Sequence, residues 1–388
     1  MTQQQTNGLS SVLVLALGTF AVGTDAFIVA AFLPSMAEGL GVTPAAAGQS
    51  VTVFALAYAL LAPVIATFTA ALPRRRLLIT ALLLLGLANI GSALAPSFGI
   101  LIATRIVAAA AAATYTPNAG AVAAQLVKPE LRARALAIVI GGLSVSTALG
   151  VPLGHVASTL LDWRASLALV GLVAFAALIG VALLMPRLAG APQVSLGQRL
   201  QLLRRKNVLI VLPLTVLGMT ACYVPFAFTL HILEALLIPA ALVTAMLLCY
   251  GLGAVAGNYA SGMMTDRAGP IAVLIAAYLL LTAIFAALLS LSLVQAASHG
   301  ALVGLLIFGW GSASWSQTPP QQMRLIAAAP EQAPVAIALN SSAIYAGIAL
   351  GSAIGGATIG HGASVTLAAG LGLAVVTLIY ASITRRWA

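Results

Sequence analysis

Charged side chains are scarce in this chain. Lys, Arg, Asp and Glu together make up 6% of its 388 residues, where a soluble domain carries about 25%. So few charges exclude a water-facing surface of ordinary composition, and they equally exclude the polar, charged tracts that disorder requires. Cysteine is scarcer still. Cys222 and Cys249 both fall in apolar runs, so neither a disulfide framework nor a cysteine-based metal site is expected. The sequence holds no glycine loop of phosphate-binding pattern, no metal-ligand cluster and no Ser/His/Asp arrangement, so an enzyme is not expected and no cofactor is implied. What is abundant is apolar: 62% of the residues are hydrophobic. This composition describes an all-α polytopic membrane protein.

The net charge of +10 does not point to nucleic acid. The basic residues sit mainly in short gaps between long apolar stretches, the pattern that orients helices in a bilayer. A spanning helix needs about 20 mainly apolar residues. Breaks and charges place such spans near 10–34, 44–71, 77–95, 98–126, 135–160 and 165–185, and again near 208–233, 240–264, 271–294, 301–326, 335–359 and 364–384. The first stretch is too long for a signal-peptide core and reads as a retained helix. A polar loop, 186–207, separates two sets of six, so the expected organisation is a half at 1–185, a linker and a half at 208–388.

Charge tests the count. With the N-terminus inside, the inner loops hold Arg74, Arg75, Arg76, Lys128, Arg132, Arg134, Arg187, Arg199, Arg204, Arg205, Lys206, Arg267, Arg324, Arg385 and Arg386. The outer side holds only Arg164, and Arg105 stays inside a helix. Such an imbalance would not survive a miscount by one helix, so both termini are expected in the cytoplasm, in a bacterial inner membrane.

Two halves of six spans suggest an internal repeat. Residues 66–76, ATFTAALPRRR, close span 2, and 262–272, GMMTDRAGPIA, close span 8. Gly150-Val-Pro-Leu-Gly154 in span 5 matches Gly351-Ser-Ala-Ile-Gly355 in span 11. Small residues at this spacing let helices approach closely, although membrane helices are rich in glycine in any case.

On these segments the chain resembles the major facilitator superfamily. The family's loop signature, G-x-L-A-D-R-x-G-R-R, is similar to GMMTDRAG, with Gly262, Asp266, Arg267 and Gly269 in the expected places. In the first half Ala66, Ala70, Ala71 and Pro73 replace the two glycines, the aspartate and the first arginine, and Arg74, Arg75 and Arg76 follow. Arg105 opens a stretch similar to the family's R-x-x-x-G pattern, with Ala109 at the glycine. GVPLGHVASTLLDWR in span 5, carrying Gly150, Pro152 and Gly154, resembles the motif of antiporters. GTFAVGTDAFIVAAFLPSMAEGLGV in span 1 resembles the drug:proton antiporter branch, including arabinose-efflux-like and chloramphenicol-resistance-like exporters. The resemblance implies twelve helices in two pseudo-symmetric six-helix halves, a gate at Asp266 and Arg267, a monomer, and export driven by a proton gradient.

Asp25 is the only acid placed deep in a span, and Arg105 the only base. A charged side chain at a helix centre costs roughly 2.5–3.5 kcal/mol on insertion scales, so it needs a purpose or a partner. Asp25 lies about 9 residues, roughly 14 Å, from the outer end of span 1, and Arg105 about 7 residues, roughly 10 Å, from that of span 4. The depths allow contact. Asp25 is thus the candidate proton site with Arg105 as its partner, or the two form a static ion pair that fixes helix register. The other acids lie at span ends: Glu38, Asp162 and Glu234 outside, Glu130, Asp266 and Glu331 inside.

Histidine titrates near neutrality. His155 in span 5 and His231 in span 7 are candidates for the proton path or for packing, while His299 and His361 fall in outer loops. Tyr115, Asn118, Tyr223, Tyr250, Asn258, Trp310, Trp315, Gln317, Asn340 and Tyr345 are candidates to line a midplane cavity. Such an aromatic cavity with one carboxylate would suit small lipophilic or weakly cationic molecules. The stretch 199–207, RLQLLRRKN, reads either as an amphipathic helix lying on lipid or as a solvated linker. The expected partners are a small-molecule substrate, protons and membrane lipids. The rival readings are a sugar or metabolite exporter or facilitator and, in a different class, a membrane receptor or lipid-handling enzyme.

Overall fold

Hydrocarbon satisfies no backbone hydrogen bond, so the apolar stretches must pair their N–H and C=O groups internally. They do so as helices. The structure, a computed structural model, describes residues 3–128, 131–190, 195–294 and 300–385. Glu130, His299 and Arg386 lie outside the described residues.

In the first half the spans are Gln3–Phe27, Pro44–Phe68, Arg74–Ala93, Phe98–Gln125, Arg132–Leu160 and Trp163–Leu184. In the second they are Lys206–Phe226, Ala240–Ala268, Pro270–Val294, Gly300–Ala328, Ala333–Ile359 and Ala363–Thr384. Local chemistry sets their ends. Thr43 caps span 2 by accepting the Ala46 N–H at 3.1 Å, with Pro44 at the first helical position. Span 8 stops at Gly269, whose φ of 81° is a region that side chains with a Cβ avoid.

Four spans depart from continuous α-helix, and span 7, expected over 208–233, is one: its helix ends at Phe226 and resumes as the short helix Thr229–Ala235. Span 1, expected to run to 34, leaves the α-helix at Phe27, continues as a 3-10 turn over Ile28–Ala31 and ends in a short helix, Leu33–Gly39. Span 5 carries a π-helical turn at Ser146–Gly150. Span 10, expected as one helix over 301–326, is two helices, Gly300–Ser316 and Thr318–Ala328. Pro319 and Pro320 cause the break: each lacks an N–H, and each ring opposes the carbonyl four residues back, at Trp315 and Ser316. Eleven described helices are therefore long and apolar enough to cross a membrane as single pieces, and the broken span 10 makes the twelfth crossing.

The packing repeats. Span 1 packs on spans 5 and 6, span 3 on 4 and 6, and span 2 on 4. Span 7 packs in the same way on 11 and 12, span 9 on 10 and 12, and span 8 on 10. The glycine echo has a common use. Gly150 and Gly154 lie against Thr24 and Ile28 of span 1, and Gly351 and Gly355 against Thr220 and Val224 of span 7. The most extensive contacts between the halves are span 2 with span 11 and span 8 with span 5 at its π-helical turn, and the short helix Thr229–Ala235 also meets the end of span 1.

Among its described residues the central linker packs partly inward. Leu196–Gln201 is helical, Leu202–Arg204 is a 3-10 turn, and Leu202 is buried with Val208, Val211 and Leu325. Lys206 already begins span 7.

The two motif glycines of span 8 make opposite predictions. A Cβ at Gly269 would meet no neighbour within 4 Å, so Gly269→Ala tests backbone strain alone and is expected to cost about 1–3 kcal/mol. Gly262, inside the helix, also faces open space, and Gly262→Ala is expected to stabilise by about 0.5–1 kcal/mol. Thermal unfolding in detergent reads both signs.

Candidate functional site

Asp25 and Arg105 meet in the interior of the first six spans. Asp25 stands two residues before the α-helix of span 1 ends, so its carbonyl is among the last four that lack an intrahelical partner. Arg105 of span 4 uses both groups. Its Nη1 donates to Asp25 Oδ1 at 2.5 Å and its Nη2 to the Asp25 carbonyl at 2.9 Å. Asp25 is 0% exposed and Arg105 1%. The guanidinium also lies 4.6 Å above the Phe54 ring of span 2, a favourable placement for a cation. Oδ2 of Asp25 has no partner. Among the described residues Asp25 is the only buried acid: Glu38, Asp162, Glu234, Asp266 and Glu331 are all exposed.

Aromatic rings carry this pair to the second half. Phe54 neighbours Tyr345 of span 11 at 6.3 Å, and Tyr345 stacks on Tyr58 of span 2 at 3.6 Å. Phe27, two residues after Asp25, reaches Tyr223 and Phe226 of span 7 and Trp315 of span 10, with centroids about 6 Å apart. Phe226 continues to Tyr250, and Tyr250 to Trp310, at 5.1 and 5.2 Å.

The two ends of the molecule differ. Opposite the termini, Phe228 lies against Gly48 of span 2 and Gly355 of span 11, and Ser352 Oγ donates to the Gly48 carbonyl at 3.2 Å. That end is shut. On the side of the termini a small cleft of about 30 Å³ lies between spans 2 and 11. Ala62, Pro63 and Ala66 face Val335, Leu339 and Ser341, with Pro117 and Arg199 on the flanks. Tyr58 and Tyr345 lie one helical turn beyond Ala62 and Ser341, so their stack forms the floor.

Several expected site residues lie elsewhere. Tyr115 is buried within the first half and donates to the Leu15 carbonyl at 3.1 Å. Asn118 accepts from Arg74 Nη1 at 2.6 Å. Arg75 donates to the Ala182 carbonyl, and Arg76 is exposed. Gln317, at the break of span 10, accepts from Tyr278 and donates to the Ser314 carbonyl and Cys222 Sγ. Asn340 accepts from Thr215 at 2.8 Å. Asn258 is half-buried on span 8 and joins none of these contacts. Pro152 is buried as the second residue of the helix that follows the π-helical turn. Asp266 and Arg267 are exposed, and no ion pair within 4 Å involves them among the described residues.

The histidines separate. His155 Nδ1 lies 2.8 Å from the Ala31 carbonyl, tying span 5 to the 3-10 turn of span 1. His231 lies beyond span 7 in the short helix Thr229–Ala235, on the shut end, with its Nδ1 unpartnered. Burial pushes His231 below its ordinary value of 6.5, and the nearby Glu234 charge opposes that shift.

Phe27, Phe54, Tyr58, Phe226 and Phe228 were not singled out from sequence. Phe54 and Tyr58 carried a signal, since residues four apart share a helix face. Arg324, expected in an inner loop, is instead a buried residue of span 10, 3% exposed. It donates to Gln321 on the same helix, and Gln321 in turn bonds span 7.

Residues 15–352 match the family model described as Major Facilitator Superfamily. Over 368 residues the chain is 31% identical to "Uncharacterized MFS-type transporter YbcL" of Bacillus subtilis (strain 168), covering 94% of this chain and 93% of that one. Over 351 residues it is 29% identical to "Inner membrane transport protein YdhP" of Escherichia coli (strain K12), covering 90% and 89%. The fold is similar to that of the D-xylose-proton symporter, with a TM-score of 0.77 at 15% identity, over 95% of this chain and 97% of that one.

Removing one member of the buried pair strands the other. Asp25→Leu is expected to lower stability by about 3–5 kcal/mol, and adding Arg105→Met should recover most of it. A double variant no more stable than the single one in detergent unfolding would show that the charges do not depend on each other. For His231 the folded value lies below the unfolded one, so the unfolded chain takes up the proton first. Its contribution is full above pH 6.5 and is lost as pH falls. The unfolding midpoint should therefore drop more on acidification in wild type than in His231→Phe.

Proposed function

The chain belongs to the major facilitator superfamily and is a multi-pass membrane transporter, and we propose that it is a proton-coupled exporter of small lipophilic molecules in which Asp25 carries the proton. One observation carries this reading: the only buried acid among the described residues keeps Oδ2 unpartnered while Oδ1 holds Arg105.

In this cycle a proton arriving from the outer side adds to Asp25 and weakens the grip on Arg105. The Arg105 guanidinium rests on Phe54, whose neighbour Tyr345 belongs to the other half. A shift of Arg105 is therefore felt at the Tyr58–Tyr345 floor. Release of the proton inward restores the pair and the state seen here, shut opposite the termini.

The cleft supports the cargo class. Apart from Arg199 and Ser341 its lining is aliphatic or proline, and no acid contributes. That favours lipophilic solutes over cations and over sugars, whose hydroxyls need several polar partners. Alternation would come from the two six-helix halves rocking about the 2/11 and 5/8 contacts. The basic residues gathered on the side of the termini favour a cytoplasmic placement of that side, in an inner membrane.

The test is substrate-induced proton movement in inverted membrane vesicles, read by a pH-sensitive dye. Lipophilic cations, phenicols and sugars are compared on wild type and Asp25→Asn, with the amount of folded protein matched. A phenicol or similar lipophile is expected to collapse the gradient in wild type only, while downhill movement of the same compound persists in Asp25→Asn. A gradient response preserved in the variant moves the proton off Asp25. A response to sugars alone overturns the cargo class.

A further inference from the structure

Arg324 is a buried cation without a counter-charge. It lies in the second helix of span 10, is 3% exposed, and donates from Nη1 to Gln321 Oε1 at 3.0 Å. Gln321 is itself fixed, because its Nε2 donates to the Val211 carbonyl at 3.1 Å and to Thr215 Oγ1 at 2.8 Å on span 7. The guanidinium is therefore held in one orientation. Its other two nitrogens, Nε and Nη2, have no partner.

These are the two nitrogens whose N–H bonds run side by side along one edge of the guanidinium, the edge that receives a carboxylate or phosphate in bidentate fashion. Tyr278 of span 9 and Tyr380 of span 12 are close enough to act on its charge. Both hydroxyl protons are committed, Tyr278 to Gln317 Oε1 and Tyr380 to the Ile210 carbonyl. No acid lies within 4 Å of Arg324 among the described residues. Arg105, equally buried, meets a carboxylate, a carbonyl and a ring. Arg324 meets one amide oxygen, and a buried charge so poorly matched is costly.

The surroundings favour an anion. Arg204, Arg205 and Lys206 before and at the start of span 7, and Arg385 after span 12, are all exposed around this end of the bundle. Such a collar concentrates anions from water and from the lipid surface. Tyr380 is only half-buried, which places the Arg324 neighbourhood near the outside between spans 7 and 12.

We propose that Arg324 is the base of an anion site between the terminal-side ends of spans 7, 9, 10 and 12, accepting one phosphate group on Nε and Nη2. An anionic phospholipid headgroup and free phosphate share that chemistry. The site is independent of the Asp25 reading, because it lies in the other half and needs no transport to be observed.

The test uses the full chain, delipidated in a neutral detergent, as wild type, Arg324→Gln and Arg324→Lys. Phosphatidylglycerol, inorganic phosphate and, as a neutral control, phosphatidylcholine are titrated in turn. Thermal unfolding and native mass spectrometry are the readouts. Wild type is expected to gain several degrees and one adduct with an anion and nothing with phosphatidylcholine. Arg324→Lys keeps part of the gain and Arg324→Gln loses it. Without anion, Arg324→Gln should melt no lower than wild type, since it sheds an unmatched charge, and the order should reverse at saturation. A merely structural arginine would leave the variant less stable throughout. A gain with phosphatidylglycerol alone identifies a lipid headgroup, and a gain with phosphate as well identifies a soluble anion. No anion-dependent gain in wild type, or an equal gain in Arg324→Gln, overturns the proposal. If Arg324→Gln does not fold, the wild-type titration and the Arg324→Lys comparison still decide it.

Discussion

Hydrocarbon offers neither hydrogen-bond partners nor counter-ions, and every feature of this molecule is arranged around that lack. Backbone groups pair within helices, and buried polar side chains mostly turn back on their own helix, as Asn89 does to the Leu85 carbonyl and Thr377 to the Leu373 carbonyl. Departures from α-helix occur where protein covers them. The 3-10 turn after Phe27 is fully buried, the π-helical turn of span 5 abuts span 8, and the break at Gln317 is closed by Tyr278 and Cys222.

Interior arginine is the sharpest case. Arg74 meets the amide of Asn118, Arg105 meets a carboxylate, and Arg324 meets one amide oxygen and leaves two nitrogens free. Three degrees of compensation imply three kinds of behaviour. The first is a fixed brace between spans 3 and 4. The second is an ion pair that ties span 1 to span 4. The third is the cation on which the proposed anion site rests.

Compensation inside the first half acquires consequences for the second through rings. Phe54 and Phe27 flank the ion pair, and each touches aromatic residues of spans 7, 10 or 11. The contact of spans 2 and 11 is shut by Phe228 at one end, floored by Tyr58 and Tyr345 in the middle, and parted by the cleft at the other. Arg199, from the linker, flanks that cleft, so the linker belongs to the cavity rather than to the surface alone.

Sequence by itself determined the helical class and most of the long apolar spans, because hydropathy acts locally and needs no knowledge of neighbours. It also isolated Asp25 and Arg105, since a charge in an apolar run stands out wherever it occurs. Tertiary structure alone decided which aromatic residues face each other, that Tyr115, Asn118, Gln317 and Asn340 bond to neighbouring helices, and that Arg324 is buried. It also decided that two prolines split span 10. Those outcomes depend on which helix faces meet, and in a chain this uniformly apolar the periodicity that would mark a face is almost erased.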